Sequence, residues 1–203
     1  MGLHCTLYRA SAEEIDGLID APETLREFFE EVSGPSLPVR QVKPKGILGF
    51  LLKLTPITIS EVVPASEREA VPEREPSPDR SIEIGKAWHG LHFLFTGTSD
   101  GGEEPACYLS SGGEPLDDDG YARALRPNQT KRFGDFLGRF TPEHLTRRYD
   151  PERMDKLRIY PEGWMTRTEN PHTTEWLLES FADVRTFVTK AANAGDGLIV
   201  DVS

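Results

Sequence analysis

Residues 86–97 read K-A-W-H-G-L-H-F-L-F-T-G, and no other stretch of this 203-residue chain combines such apolar density with aromatic side chains and two histidines. On a helix drawn at 100° per residue, four of these residues share one face: Trp88, Leu91, His92 and Phe95. Phe93 and Leu94 cover much of the remaining circumference. A helix that is apolar nearly all round has to be buried, so the segment predicts the central helix of the core.

Segments at both chain ends predict strands next to helices. Residues 3–9 alternate weakly as a strand does, and Ser11 with Glu14 forms the S-x-x-E capping box that starts a helix. Near the other end, an apolar stripe over residues 173–194 predicts the longest helix. Residues 198–202 then predict a terminal strand, so both chain ends are expected to contribute strands to one sheet.

A further strand is predicted shortly after the central helix. Residues 106–109 read A-C-Y-L between two polar, Gly-rich segments, and this pattern predicts a central strand. Cys107 then lies in a strand, as Cys5 does in the first strand, and both serve as small apolar residues. Because no export signal precedes them, the two cysteines are expected to stay reduced in the cytosol.

The region before the central helix is the least regular part of the chain. Residues 46–54 predict a short helix packed under the domain, and residues 55–63 predict a strand. Residues 64–80 are rich in Pro and Glu and almost free of large apolar side chains. They therefore predict an exposed, mobile loop.

These elements together predict an α+β fold. We expect one domain over residues 1–203, with a small mixed β-sheet flanked by helices and a long C-terminal helix followed by a terminal strand. The chain is 37% hydrophobic and 28% charged, which is typical of a globular protein. No apolar run approaches the roughly 20 residues that a membrane span requires, so a soluble cytoplasmic protein without membrane contact is expected.

The charge distribution indicates which kind of partner the protein could bind. A formal net charge of −11 argues against nucleic-acid binding, because phosphate groups would be repelled. Residues 123–167 form a basic band with 11 Lys and Arg against 6 Asp and Glu, so the rest of the chain is strongly acidic. That acidic surface suits a basic protein partner, although an ordinary solvated face would look the same.

Several motifs, in this order, resemble the YfbM-like family of uncharacterised bacterial domains. The motifs are K-A-W-H-G-L-H-F-L-F-T-G at 86–97, G-G-E-P-L at 112–116, R-Y-D-P-E-R-M at 148–154, I-Y-P at 159–161, and a long helix ending in A-G-D-G. The resemblance covers the N-terminal strand and helix and most of residues 82–203, whereas residues 34–80 depart from it. It implies an α+β fold and no known reaction, so no catalytic residue is carried over. Some such small bacterial domains act as immunity proteins beside toxins.

The paired histidines are the first candidates for chemistry. His89 and His92 are three residues apart, so on a helix they could share one metal ion if Glu114 or Asp150 supplied a third ligand. No metal-binding motif supports that site, and a buried His92 hydrogen-bonded to a backbone carbonyl or carboxylate, with His89 at the edge of the apolar stripe, explains the pair better. As an enzyme, the protein would use His89 with Glu114 as an acid–base or metal-ligand pair.

The acidic turn is the candidate binding site. Asp117, Asp118 and Asp119 follow one another before Gly120, a composition typical of a sharp exposed turn, and their spacing does not match a calcium loop. We therefore expect a non-catalytic protein-binding domain without cofactor, of the immunity or inhibitor type, that captures a basic toxin or enzyme. The alternative is a small-molecule enzyme that uses His89 and Glu114.

Overall fold

The computed structural model describes residues 2–33, 39–42, 59–62, 79–167 and 172–203. The chain divides into two compact units, Met1–Arg26 with Ser77–Ser203 and Glu27–Pro76. The predicted helix at 46–54 and nearly all of the predicted loop at 64–80 lie outside the described residues. That residues 1–203 form one domain stays a prediction.

The described elements follow one another in this order along the chain. The first part contains β1 (Cys5–Ala10), α1 (Ala12–Asp20), a 3-10 helix (Pro22–Thr24), α2 (Leu25–Ser33), β2 (Val39–Val42), β3 (Ile59–Val62), β4 (Ser81–Gly85) and α3 (Ala87–Thr96). The second part contains β5 (Glu114–Pro115), β6 (Ala122–Leu125), α4 (Pro127–Leu137), α5 (Pro142–Arg148), α6 (Pro151–Lys156), α7 (Trp164–Arg167), α8 (His172–Ala194) and β7 (Gly197–Val202). Among the described residues, none of these helices has the length and apolar character needed to cross a lipid bilayer.

The larger unit is built on a five-stranded sheet with the order β4-β1-β7-β6-β5. The two chain ends pair at its centre, where Leu7 of β1 lies opposite Val200 of β7. The predicted α+β class, with a long C-terminal helix before a terminal strand, is therefore confirmed. All four pairs of neighbouring strands are antiparallel, whereas we expected a mixed sheet. Parallel neighbouring strands must be joined by a crossover connection. The composition of a strand does not reveal whether its connection crosses over.

Helix α3 lies in the core, as its sequence predicts. Leu91 and His92 are completely buried, and Trp88 keeps only 8% of its surface exposed. The helix ends at Gly97, which has φ +75°, and the Gly97 N–H donates to the carbonyl of Phe93 at 2.7 Å. Glycine accommodates this left-handed backbone without a steric penalty, so the end of the helix is set locally.

The predicted strand at 106–109 is wrong. These residues form consecutive turns, in which the Ala106 N–H donates to Glu103 O and the Ser110 N–H donates to Cys107 O. The guanidinium of Arg123 donates to the carbonyls of Tyr108 and Leu109 at 3.3 and 3.2 Å, which satisfies acceptors that a strand would pair in a ladder. A short apolar run, here with three of its four residues buried, looks the same in a strand and in such a turn.

Three strands of the sheet, β4, β5 and β6, were missed. The segment S-I-E-I-G forms β4 immediately after the Pro/Glu-rich segment, and its Ile84 is buried with 6% of its surface exposed. Five residues with one apolar alternation are too short to stand out in the sequence. In the smaller unit, β2 and β3 form an antiparallel pair in which Val39 lies opposite Val62.

Candidate functional site

The acidic turn lies between β5 and β6, at an edge of the sheet. Leu116 N–H donates to Ala122 O at 2.8 Å, and the Asp117 carboxylate accepts the Ala122 N–H at 2.9 Å, which closes the turn. Asp118 and Asp119 are exposed and make no hydrogen bond or ion pair with another described residue. Asp117 therefore shapes the turn, and the next two carboxylates face solvent.

Two more carboxylates lie in line with this turn in the register of the sheet. Asp201 of β7 lies opposite both Ala122 of β6 and Thr6 of β1, and Thr6 in turn lies opposite Glu83 of β4. Directly opposed residues of antiparallel strands point to the same face, and neighbouring strands lie about 4.8 Å apart. Glu83 and Asp201 thus follow the same line across the sheet as the turn. We call Glu83, Asp201 and Asp117–Asp119 the acidic row.

The carboxylates of the acidic row influence one another. Burial raises the pKa of Asp201, the nearby charge of Asp117 raises it further, and a hydrogen bond from Ser203 opposes both effects. The Ser203 hydroxyl donates to Asp201 Oδ2 at 3.4 Å. Neighbouring negative charges that repel each other are stabilised by an approaching cation, so the row favours a positively charged group.

An exposed aromatic ring adjoins the acidic row. Tyr121 directly follows the acidic turn and keeps 50% of its surface exposed, although its carbonyl accepts the Val202 N–H at 3.1 Å. The backbone is thus held in the sheet while the phenol ring faces solvent. Tyrosine is one of the residue types that contribute most strongly to the binding energy of protein interfaces.

Helix α1 covers the other end of the same sheet face. Its Ile15 is completely buried, and a Cβ atom at Gly197 would lie 2.6 Å from Ile15 Cγ1. Only glycine permits that close approach, so Gly197 allows α1 to pack on the sheet there. Asp201 lies four residues further along β7, beyond the end where Ile15 packs.

His89 is held by the backbone on both sides of its ring. Its Nε2 lies 2.6 Å from Ser99 O, and its Nδ1 accepts the Tyr160 N–H at 2.9 Å. Burial lowers the pKa of His89, although the Ser99 carbonyl and the charge of Asp100 raise it in part. The neutral ring therefore joins two loops to helix α3 and has no free nitrogen for acid–base chemistry.

His92 is completely buried in a network of hydroxyl groups. Ser110 Oγ lies 2.9 Å from its Nδ1, and Thr96 Oγ1 lies 3.3 Å from its Nε2. Burial lowers the pKa of His92 to about 4, with further lowering by His89 and Arg123. His92 is therefore neutral near pH 7. The rings of His89 and His92 are 6.2 Å apart, and the described residues contain no group of three His, Cys, Asp or Glu side chains placed to bind a metal.

The other candidate partners of the histidines lie elsewhere. Glu114 is exposed in β5, and its carboxylate lies 3.8 Å from Arg126 Nε. Asp150 caps helix α6 by accepting the Arg153 N–H at 3.0 Å. Within the described part of the chain, no hydrogen bond or ion pair joins His89 to Glu114. The acid–base pair stays a prediction without a contact to support it.

Several arginines of the basic band donate hydrogen bonds to backbone carbonyls of the same chain. Arg148 donates to the carbonyls of Leu94 and Phe95, both at 2.9 Å, and Arg153 donates to Gly97 O at 2.8 Å. These arginines satisfy the unpaired carbonyls at the C-terminus of α3, where positive charge is also favourable. Together with the buried Arg123, they reduce the positive charge that the band offers to a partner.

Glu83, Asp201 and Tyr121 are the residues of this site that the sequence analysis missed. The run L-I-V-D-V at 198–202 alternates such that Asp201 is on the opposite face from Val200 and Val202, and this signal was available. The alignment of Glu83 with Asp201 depends on strand pairing over a sequence separation of more than a hundred residues. Only the folded sheet brings these carboxylates together.

Comparison with known proteins places the chain in a family. The fold is similar to that of YfbM from Escherichia coli, a protein of unknown function whose crystal structure matches with a TM-score of 0.64 at 15% sequence identity. That match covers 98% of this chain and 99% of the YfbM chain. No curated protein matches the sequence. The family model described as "Domain of unknown function (DUF1877)" matches residues 1–200, so the chain belongs to this family, as the resemblance to YfbM-like domains indicated.

Proposed function

We propose that this protein is a non-catalytic protein-binding domain of the immunity or inhibitor type, which captures a basic toxin or enzyme through the acidic row. The observation that carries the proposal is the sheet register, which aligns Glu83 and Asp201 with the turn at Asp117–Asp119. Asp118, Asp119 and Asp201 offer a basic surface several ionic contacts, while Glu83 lies 3.1 Å from His4 Nδ1 and Asp117 holds the turn. The exposed ring of Tyr121 adds apolar contact area beside them.

The overall charge supports rapid association with such a partner. A net charge of −11 attracts a basic protein over distances of about a Debye length, roughly 8 Å at physiological salt. Electrostatic attraction of this kind mainly raises the association rate. An inhibitor that has to bind its target before the target acts benefits from that property.

The enzyme alternative has less support. A general base needs a nitrogen within reach of substrate, and both nitrogens of His89 are within hydrogen-bond distance of backbone groups. Glu114, the second member of the pair, is next to Arg126 instead. Chemistry at these residues would require both contacts to break first.

Co-purification with two matched variants tests the proposal. Asp117, Asp118 and Asp119 are changed to Lys in one variant, and the exposed Asp20, Glu23 and Glu179 are changed to Lys in the other. Both variants have the same net charge, so a difference between them reports the acidic turn, including the Asp117 hydrogen bond that closes it, and not total charge. Wild type and control should retain one basic protein from the native host, identified by mass spectrometry, and the acidic-turn variant should lose it.

Association kinetics with the identified protein complete the test. The association rate of wild type should fall steeply between about 50 and 500 mM salt, and the dissociation rate should change much less. Equal loss of binding in both variants would contradict a role for the acidic turn. A variant carrying His89→Ala and Glu114→Gln that folds normally and yet loses function would favour the enzyme alternative.

A further inference from the structure

A groove runs between strand β4 and helix α8 at the edge of the sheet opposite β5. Two cavities of about 240 and about 230 Å³ lie end to end along it and share Asp183. The first lies between residues 83–86 and Trp176, and the second lies between Ile82 and Phe187. We call these two cavities together the β4–α8 groove.

Within the described residues, the backbone of β4 has hydrogen-bonding groups that point to this groove and have no strand partner there. Arg9 N–H donates to Arg80 O at 2.8 Å, so residues 80 and 82 direct their N–H and C=O groups toward β1. Because the direction alternates along a strand, the backbone groups of Ser81 and Glu83 point away from β1. Within the described residues β4 is the last strand of the sheet on this side. An edge of this kind can pair with a further extended segment.

The charges in the groove favour one kind of segment. The lining of the groove has three carboxylates, Asp79, Glu83 and Asp183, and two lysines, Lys86 and Lys190, and Lys190 lies 3.8 Å from Asp79. Asp183 is exposed where the two cavities meet and has no ion pair with another described residue. The free charge at the centre of the groove is therefore negative.

The spacing of side chains along the groove matches an extended chain. Asp183 and Phe187 are one turn apart on α8, about 6 Å along its axis. Alternate side chains of a strand are about 6.7 Å apart and point to the same face. A segment with a Lys or Arg at one position and apolar residues two positions before and after it would place its charge on Asp183. Its apolar residues would then lie near Phe187 and toward Trp176.

We propose that the β4–α8 groove binds an extended basic segment of the partner protein, which adds to the sheet beside β4 and places a Lys or Arg side chain on Asp183. This inference rests on the proposed function for the basic character of the partner. It adds a second contact surface at the opposite edge of the sheet from the acidic turn. Backbone hydrogen bonds supply the docking, and Asp183 selects the charge.

A synthetic peptide with the sequence Thr-Val-Thr-Lys-Thr-Val-Thr tests the inference without the partner. Its binding to the full chain is measured by fluorescence anisotropy, with a peptide of the same composition in a non-alternating order as reference. The alternating peptide should bind at least about tenfold more tightly, a difference of 1.4 kcal/mol. In amide NMR spectra it should shift the signals of Ser81 and Glu83.

Three variants separate the contributions to binding. Asp183→Lys should weaken peptide binding by about tenfold or more, since it reverses the charge at the centre of the groove. Glu179→Lys makes the same charge change at an exposed site on the same helix outside the groove, and should change binding less than about twofold. Ser81→Pro removes an N–H that points away from β1, so the sheet should persist while the peptide loses a hydrogen bond. Thermal unfolding of each variant confirms that it folds.

Several results would overturn the inference. They are equal affinity for the two peptides, no effect of Asp183→Lys and Ser81→Pro, or amide shifts confined to the acidic turn. A dimer that Ser81→Pro converts to monomers would assign the edge of β4 to a second copy of the chain. The proposed function and this inference can fail independently. The test of the proposed function uses variants of Asp117–Asp119 and the host partner, and it does not use this peptide.

Discussion

The histidines of helix α3 and the carboxylates of the acidic row are both polar clusters, but they differ in where their groups find partners. His89 bonds to the backbone through both nitrogens, and His92 lies among hydroxyl groups with no exposed surface. Asp118 and Asp119 face solvent, and Asp201 is next to the charge of Asp117. Satisfied polar groups stabilise a fold, whereas unsatisfied charges at a surface are available to a ligand. Substitutions in the first region should therefore affect stability, and substitutions in the second should affect binding.

The largest loss of stability is expected for Trp88→Ala. Trp88 is 8% exposed in the core, so truncation leaves a cavity and should lower the free energy of unfolding by about 3–5 kcal/mol. The indole Nε1 is buried without a hydrogen-bond partner among the described residues, so Trp88→Phe should cost much less. Urea unfolding measures both. A loss below about 1 kcal/mol for Trp88→Ala would show that Trp88 is not part of the core.

The pH dependence of stability should report His92. Its pKa falls from 6.5 to about 4 on folding, so the unfolded chain binds the extra proton between these values. Stability should therefore fall as the pH is lowered from about 6.5 to about 4, by up to about 3 kcal/mol from this group. Urea unfolding of wild type and His92→Gln across this range isolates the contribution. Parallel curves for the two proteins would contradict it.

His89→Ala should lower stability by about 1–3 kcal/mol, because Ser99 O and the Tyr160 N–H both lose their partner. Capture of the partner should be unchanged under conditions in which the variant is folded. Thermal unfolding measures the loss of stability, and co-purification measures the capture of the partner. An intact fold with abolished function would instead assign a functional role to His89.

Asp201→Asn should leave stability at pH 7 unchanged or slightly higher. The pKa of Asp201 is raised in the folded protein, so the folded state binds this proton more readily than the unfolded chain. The contribution of this carboxyl group is favourable at low pH and is lost as the pH rises through its folded pKa. Thermal midpoints of both proteins at pH 7 and pH 4 test the sign. A clear loss of stability in the variant at pH 7 would mean that the charged carboxylate is stabilised.

The smallest effect on stability is expected for Asp118→Lys with Asp119→Lys. Both residues are exposed, so the free energy of unfolding should change by less than about 0.5 kcal/mol. The association rate with the captured partner should nevertheless fall, most strongly at low salt. Stopped-flow measurements at two salt concentrations test this. An unchanged rate would exclude the tip of the turn from the interface.

Local patterns in the sequence were read correctly where neighbouring residues decide the structure. The buried helix at α3 and the capping box, in which Ser11 Oγ accepts the Glu14 N–H and the Glu14 carboxylate accepts the Ser11 N–H, are both present. Gly195, with φ +76°, ends α8 before the terminal strand. These features depend on side-chain spacing within one or two helical turns, which a single sequence displays directly.

The sequence by itself therefore determined the core helix, the helix boundaries and the presence of the acidic turn. Only the tertiary structure decided that residues 106–109 form turns around the guanidinium of Arg123, and that β4 completes the sheet. It also decided that Glu83 and Asp201 align with Asp117, since that alignment depends on antiparallel pairing between distant strands. The physical reason is that pairing and burial depend on contacts between residues far apart in the chain, and these contacts leave no periodic pattern in the local sequence.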